Sequence, residues 1–231
     1  FSENTVIGKS NIRSNYFDTL VFAPRNIRKM KIPSFITKIN SCAFEHCIHL
    51  QKVEFPIDSK LLVIDQNAFA GSNIGYISIP SSVKVIKNGA FKDCKNIKVV
   101  KFSDDSQLKI IEMFTFVNSS LQRISIPAGV IQIGKNAFKN CSELKYVNFN
   151  GESQLKIIGS SAFYMSSLKS LVIPKSVVQL CENAFSSCNG LLIIEISNNS
   201  DLISIDKNTF VDSKSDLMIM IPFNLEIKKF N

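Results

Sequence analysis

Residues 121–141 read LQRISIPAGVIQIGKNAFKNC. Leu121, Ile124 and Ile126 are apolar, and Arg123 and Ser125 between them are polar, which is the period of two of a half-buried strand. Pro127 has no N–H to give to a ladder, so the strand ends there. A second apolar pulse follows a few residues later, as it does at Val83, Val85 and Ile86 and at Leu108, Ile110 and Ile111. Then comes an Ala-Phe pair among Asn, Gly, Lys and Ser, in a stretch too short for more than a turn or two of helix. That spacing predicts a short helical or 3₁₀ corner.

The same pattern recurs along the chain. Ile-Pro pairs stand at 32–33, 79–80, 126–127, 173–174 and 221–222, a period of 47 that lengthens to 48 at the last step. Ala-Phe or Thr-Phe places its Phe at 44, 69, 91, 116, 138, 163, 185 and 210, at intervals that alternate between 25 and 22. Each 47-residue period therefore holds two similar units. A unit this short cannot enclose its own apolar face, and stacking is what buries it. Stacked strands lie ~4.8 Å apart, so equivalent Leu and Ile side chains sit above one another and the Phe residues form an inner ladder. The predicted fold is an α/β repeat solenoid. Its parallel strands form one continuous concave sheet, and its corners form the convex side.

The strand unit LxxIxIP, followed by an apolar pulse and Ala-Phe-x-x-Cys, resembles the BspA-type leucine-rich repeat, over roughly residues 27–222. AFEHC at 43, AFKDC at 90, AFKNC at 137 and AFSSC at 184 carry the likeness, while Ser72, Ser119, Ser166 and Ser213 stand where Cys is expected in the other units. This alternation is similar to versions from anaerobic mucosal protists more than to bacterial ones. The resemblance implies a right-handed leucine-rich-repeat horseshoe displayed at or near a cell surface, a BspA-like surface antigen that mediates adhesion to host proteins or other cells. It implies no enzymatic activity. On this reading residues 1–26 are an N-terminal cap containing Tyr16, Phe17, Leu20, Val21 and Phe22; 27–222 hold eight to nine units; and 223–231 are a truncated last unit or tail in which Leu225 and Ile227 match the apolar pulse.

Composition excludes several classes. Hydrophobic residues make up 45% and charged residues 20% of the 231 positions, enough to bury a core, and no apolar run reaches the ~18 residues of a membrane helix. The net charge is +8, with 16 basic and 10 acidic residues up to position 115, so polyanion binding by the N-terminal half is one reading. No run of five like charges occurs, and a dispersed solvated surface explains the excess equally. Two His and no Trp leave little for acid–base or metal chemistry. Cys42, His46, Cys47 and His49 crowd together like metal ligands, but the counterparts of Cys47 have no His nearby. Gly8-Lys9-Ser10 ends like a phosphate loop, yet Glu3 stands where its first Gly is required. No cofactor, metal site or catalytic residue is expected. Cys47, Cys94, Cys141 and Cys188 are 47 apart, hence two coils or ~9.6 Å, too far for a disulfide. They are expected to be reduced, buried fillers.

Strand alternation names the exposed columns. One runs Lys29, Lys52, Tyr76, Val99, Arg123, Tyr146, Ser170, Ile193 and Met218; the other runs Lys31, Glu54, Ser78, Lys101, Ser125, Asn148, Val172, Glu195 and Met220. From these the expected contact set for a protein ligand is Lys52, Tyr76, Lys101, Arg123, Tyr146, Asn148, Val172, Ile193, Met218 and Met220. The expected function is non-enzymatic protein recognition at a cell surface or in a secreted protein. The alternative is a cytoplasmic scaffold or regulator that binds a partner such as a protein phosphatase. Lys52-Val53-Glu54-Phe55, Lys98 to Phe102 and Lys145 to Phe149 look like that enzyme's docking peptides, although Val and Phe there are inward positions. Asn118, Asn140 and Asn198 begin Asn-x-Ser triplets. An uncapped C-terminal end would expose its last coil, which also allows a homodimer there.

Overall fold

The structure is a computed structural model that describes residues 5–231 except 12, 14, 207, 214, 215, 223–228 and 231. The positions of Leu225 and Ile227 lie outside the described residues. The chain opens with β1 (Val6–Gly8), β2 (Thr19–Phe22), β3 (Lys29–Lys31) and β4 (Lys38–Ile39). It continues through β5 (Lys52–Glu54), β6 (Val63–Ile64), β7 (Tyr76–Ile79), β8 (Val85–Ile86), β9 (Val99–Phe102) and β10 (Ile110–Ile111). The next coils hold β11 (Arg123–Ile126), β12 (Gln132–Ile133), β13 (Tyr146–Phe149), β14 (Ile157–Ile158), β15 (Ser170–Ile173) and β16 (Gln179–Leu180). The last strands are β17 (Ile193–Ile196), β18 (Ser204–Ile205), β19 (Met218–Met220) and β20 (Lys229–Phe230). Each coil thus contributes a longer strand, and then a two-residue strand formed by the second apolar pulse.

The short strands join into an 11-stranded sheet that runs from β1 to β20 along the solenoid. Its pairs are parallel except β1 with β2, where Ile7 faces Leu20 and Gly8 faces Thr19. Between the two rows of strands lies the core. Phe44, Phe69, Phe91, Phe116, Phe138, Phe163 and Phe185 are fully buried, and with Phe210 they stack in one file with ring centroids 4.7 to 5.8 Å apart. The interplanar angles do not exceed 12°, so every coil keeps the same register.

The corners are turns. No helix occurs among the described residues, so the expected helical or 3₁₀ corners are corrected and the fold is all-β. The hydrogen bonds of the corner at 136–141 give the reason. Ala137, Lys139 and Cys141 donate back three residues, to the carbonyls of Gly134, Asn136 and Phe138, while Phe138 and Asn140 donate to Ala162 and Tyr164 of the next coil at 2.8 Å. A helix consumes every N–H internally; here every second one serves the stack. The alternation needs left-handed residues, supplied by Asn136 at φ 57° and Asn140 at φ 58°, a conformation Asn tolerates better than most.

A second correction concerns the expected continuous sheet. The longer strands form a six-stranded ladder from β3 to β13 and a separate three-stranded ladder of β15, β17 and β19. Pairing is full from Tyr76↔Val99 to Ile79↔Phe102, from Arg123↔Tyr146 to Ile126↔Phe149 and from Ser170↔Ile193 to Ile173↔Ile196. It shrinks to Lys52↔Tyr76 between β5 and β7, and to Arg123↔Val99 and Ile124↔Val100 between β9 and β11. No ladder joins β13 to β15. Proline accounts for the alternation. Asn150 and Ser197 donate their N–H to Ile126 and Ile173 of the preceding coil, at 3.0 and 3.2 Å. Pro80, Pro127 and Pro174 fill the same position after β7, β11 and β15 and have no N–H to give; Pro56 holds it after β5. The 47-residue sequence period therefore appears in the structure as strand doublets. β5, which precedes Phe55-Pro56, and β19, which precedes Ile221-Pro222, depart from the rule: β5 pairs with β3 from Lys29↔Lys52 to Lys31↔Glu54, and β19 pairs with β17 from Ile193↔Met218 to Glu195↔Met220.

All six cysteines are free. Cys94, Cys141 and Cys188 donate to the carbonyls of Phe69, Phe116 and Phe163 of the preceding coil at 3.1 Å, and each contacts the Ser of that coil (Ser72, Ser119 or Ser166) at 3.3 to 3.6 Å. A serine thus separates successive cysteines of the column. Burial pushes the Cys94 and Cys141 thiols up to about 12.

Candidate partner-binding groove

An open groove of about 940 Å³ lies along the outward face of the longer strands, where the two ladders meet. Its lining runs from Tyr76 on β7 to Ser197 after β17. The parallel register sets Tyr76, Val99, Arg123 and Tyr146 side by side on successive strands, with Ser125 beside Asn148 in the second column. Arg123 and Lys101 are exposed and make no ion pair among the described residues. The carboxylates stand at the rim: Asp104 in the loop after β9, and Glu152 after β13, with Lys175 at 3.9 Å.

These coils carry the signature of one family. The family model described as BspA type leucine rich repeat region matches six copies, over residues 15–145 and 109–230. The chain belongs to the BspA-type leucine-rich-repeat family. No curated protein matches it. Among solved structures it is similar to a leucine-rich repeat protein from Bacteroides ovatus, at 24% identity and a TM-score of 0.61, covering 81% of this chain and 58% of that one. It is also similar to the T. pallidum leucine rich repeat protein, at 20% identity and a TM-score of 0.60, covering 94% and 91%. A leucine rich cell surface protein from Faecalibacterium prausnitzii is 23% identical, with a TM-score of 0.48 and coverage of 84% and 59%. The chain thus spans less than two thirds of the Bacteroides and Faecalibacterium proteins.

In this BspA-type array, Tyr76, Lys101, Arg123, Tyr146, Asn148 and Val172 line the groove together. Tyr146 is 59% and Val172 52% exposed. Lys52 lies outside, at the N-terminal end of the face, where it bonds the Glu54 carboxylate and with nearby Lys31 and Lys29 holds that carboxyl below its ordinary range. Ile193, Met218 and Met220 also fall outside the groove, exposed on the three-stranded ladder, where Ile193 pairs with Ser170 and Met218, and Glu195 stands between Val172 and Met220. The alternation of columns did not reveal Asp104, Glu152, Lys175, Ser197 or Asn198, which line the groove from loops. For Asp104, Glu152, Ser197 and Asn198 the signal was the longer interval of the alternating pair, whose extra residues form the loops after β5, β9, β13 and β17, whereas Lys175 follows β15 in a shorter interval and had no such signal.

Other candidates fall differently. Val53, Val100 and Phe102 of the phosphatase-like peptides are buried and Phe55 is half-buried, while Val147 and Phe149 of the third are both half-buried and line the groove. Among the described residues no three His, Cys, Asp or Glu side chains are grouped to hold a metal, and no helix is long and apolar enough to cross a membrane. Asn118 spends its side-chain amide on Asp93 at 2.8 Å and accepts from Asn140 at 2.9 Å, while Asn198 is exposed at the groove.

Proposed function

We propose that this protein is a non-enzymatic recognition module that binds a protein ligand through the groove face, and that it does so as a cell-surface or secreted adhesion protein. The supporting observation is the Tyr76–Val99–Arg123–Tyr146 row along the groove, since exposed Tyr and Arg in a concavity are the residues that dominate protein contacts. In the same proposal residues 1–26 cap the N-terminal end through the β1–β2 pair.

The test uses fluorescently labelled protein on a panel of epithelial cells and extracellular-matrix proteins. Tyr146→Ala and Arg123→Ala should each weaken binding about tenfold or more, without changing the urea midpoint. Polyanion binding would instead collapse between low and physiological salt, while a Tyr-centred contact changes only a few fold. Equal binding by wild type and both variants sinks the reading. Six free thiols favour a second setting, an intracellular scaffold, and localisation of a tagged full-length protein separates the two.

A further inference from the structure

We propose that the splay between β13 and β15 is an anchor pocket for one large apolar side chain of a partner segment whose neighbouring residues are acidic. The proposal rests on the groove face being the recognition surface, and it names what that surface selects.

Three independent observations carry it. The strands start together and then part: among the described residues, Lys169 N–H to the Lys145 carbonyl, at 3.2 Å, is the single backbone bond between them. Pro174 removes the donor that would close the far end. Second, the opening uncovers inward side chains. Val147 and Phe149 are both half-buried, whereas Val100 and Phe102, Ile124 and Ile126, Leu171 and Ile173, and Ile194 and Ile196 are buried at the same positions; elsewhere among the described residues only Phe55, beside the thinned pairing of β5 with β7, and the last coil's Ile219 and Ile221 are not buried. An apolar floor under a polar-edged groove of about 940 Å³ has the composition and size of a ligand cleft.

The third observation is charge. On the strands themselves the groove presents only cations, Lys101 on β9 and Arg123 on β11, and neither makes an ion pair among the described residues. Arg123 is in register with Tyr146, one strand spacing of ~4.8 Å from β13, so a carboxylate flanking the anchor comes within its reach. Glu152 faces Lys175 at the rim and Asp104 lies in a loop, so neither neutralises the floor. A basic segment would meet these two uncompensated cations, an unfavourable juxtaposition that sets specificity.

The experiment titrates three end-capped pentapeptides into protein carrying labelled Ile, Leu and Val methyls. The first has a central Phe between two pairs of acidic residues, the second replaces Phe by Ala, and the third replaces the acidic residues by Lys. The first peptide should shift the Val147 and Val172 methyl signals, with a dissociation constant at or below about 1 mM. The Ala and Lys versions should bind at least about tenfold more weakly, and Arg123→Gln should weaken the first peptide by a similar factor while leaving the free-protein spectrum elsewhere unchanged. Comparable binding of the Lys peptide, or no response at Val147 to the first peptide, overturns the anchor pocket. Should shifts appear at Val99 and Ile193 but not Val147, the pocket fails while the face survives as a recognition surface. Shifts confined to methyls off this face, such as Ile110, overturn both.

Discussion

Phe138→Ala should lower the stability of the solenoid by about 3 to 5 kcal/mol, read as a fall in the urea midpoint with little change in slope. The ring is fully buried and lies between Phe116 at 5.2 Å and Phe163 at 5.1 Å, almost parallel to both. Truncation removes its transfer free energy and leaves a void in the middle of a file. The void cannot collapse readily, because the backbone on either side is fixed by bonds from Phe138 N–H to Ala162 and from Phe116 N–H to Ala137, both 2.8 Å. The stacked geometry adds a smaller amount to simple burial. Since a repeat array is held by contacts between neighbouring coils, the loss should open the rod locally first. Amide exchange should therefore accelerate most in the coils of β10, β12 and β14. A neutral substitution would mean that the rings do not form the continuous core.

Much of this architecture was legible because its elements are periodic and each period has one physical cause. The Phe file follows from the alternating intervals, since any offset between coils would throw the rings out of line. The two outward columns follow from side-chain alternation, and Tyr76, Val99, Arg123 and Tyr146 stand in the register that alternation required. Other elements were hidden for identifiable reasons. Two-residue strands such as β8 and β10 lie below the length at which alternation has meaning. The corners share composition with short helices, and only the division of their N–H groups between turn and neighbouring coil distinguishes them.

The break in the outward sheet is different, because its signal was present. Ile-Pro recurs once per double unit, and the donors missing at Pro80, Pro127 and Pro174 coincide with the weakened pairings ahead of β7, β11 and β15. Reading Pro127 only as the end of a strand hid its effect on the neighbour before it. The same step would have placed a gap ahead of Ser170–Ile173 and shown that Val147 and Phe149 are inward in pattern but reachable in fact.

Alkali should unfold the protein through its thiols. Cys94 and Cys141 are fully buried, and desolvation pushes both up to about 12 from an ordinary value of 9.0. Below pH 9 both are protonated in the folded and the unfolded chain, so they make no pH-dependent contribution. Between pH 9 and 12 the unfolded chain releases these protons while the folded chain holds them, so the folded state binds more protons and stability falls as pH rises. Each thiol then costs about 1.4 kcal/mol per pH unit, and the pair about 2.7. Ionising Lys and Tyr side chains add their own pH dependence, which a variant separates. Ser72 and Ser119 already occupy this column in the adjacent coils, so Cys94→Ser with Cys141→Ser places a non-ionising hydroxyl where the carbonyls of Phe69 and Phe116 accept. Unfolding free energies from urea titrations between pH 8 and 11 should fall more gently for the double variant, by about 2.7 kcal/mol per pH unit above pH 9. Parallel curves for the two proteins would show that these thiols ionise as easily in the folded coil as in the open chain, and that the Cys–Ser column is not sealed from water.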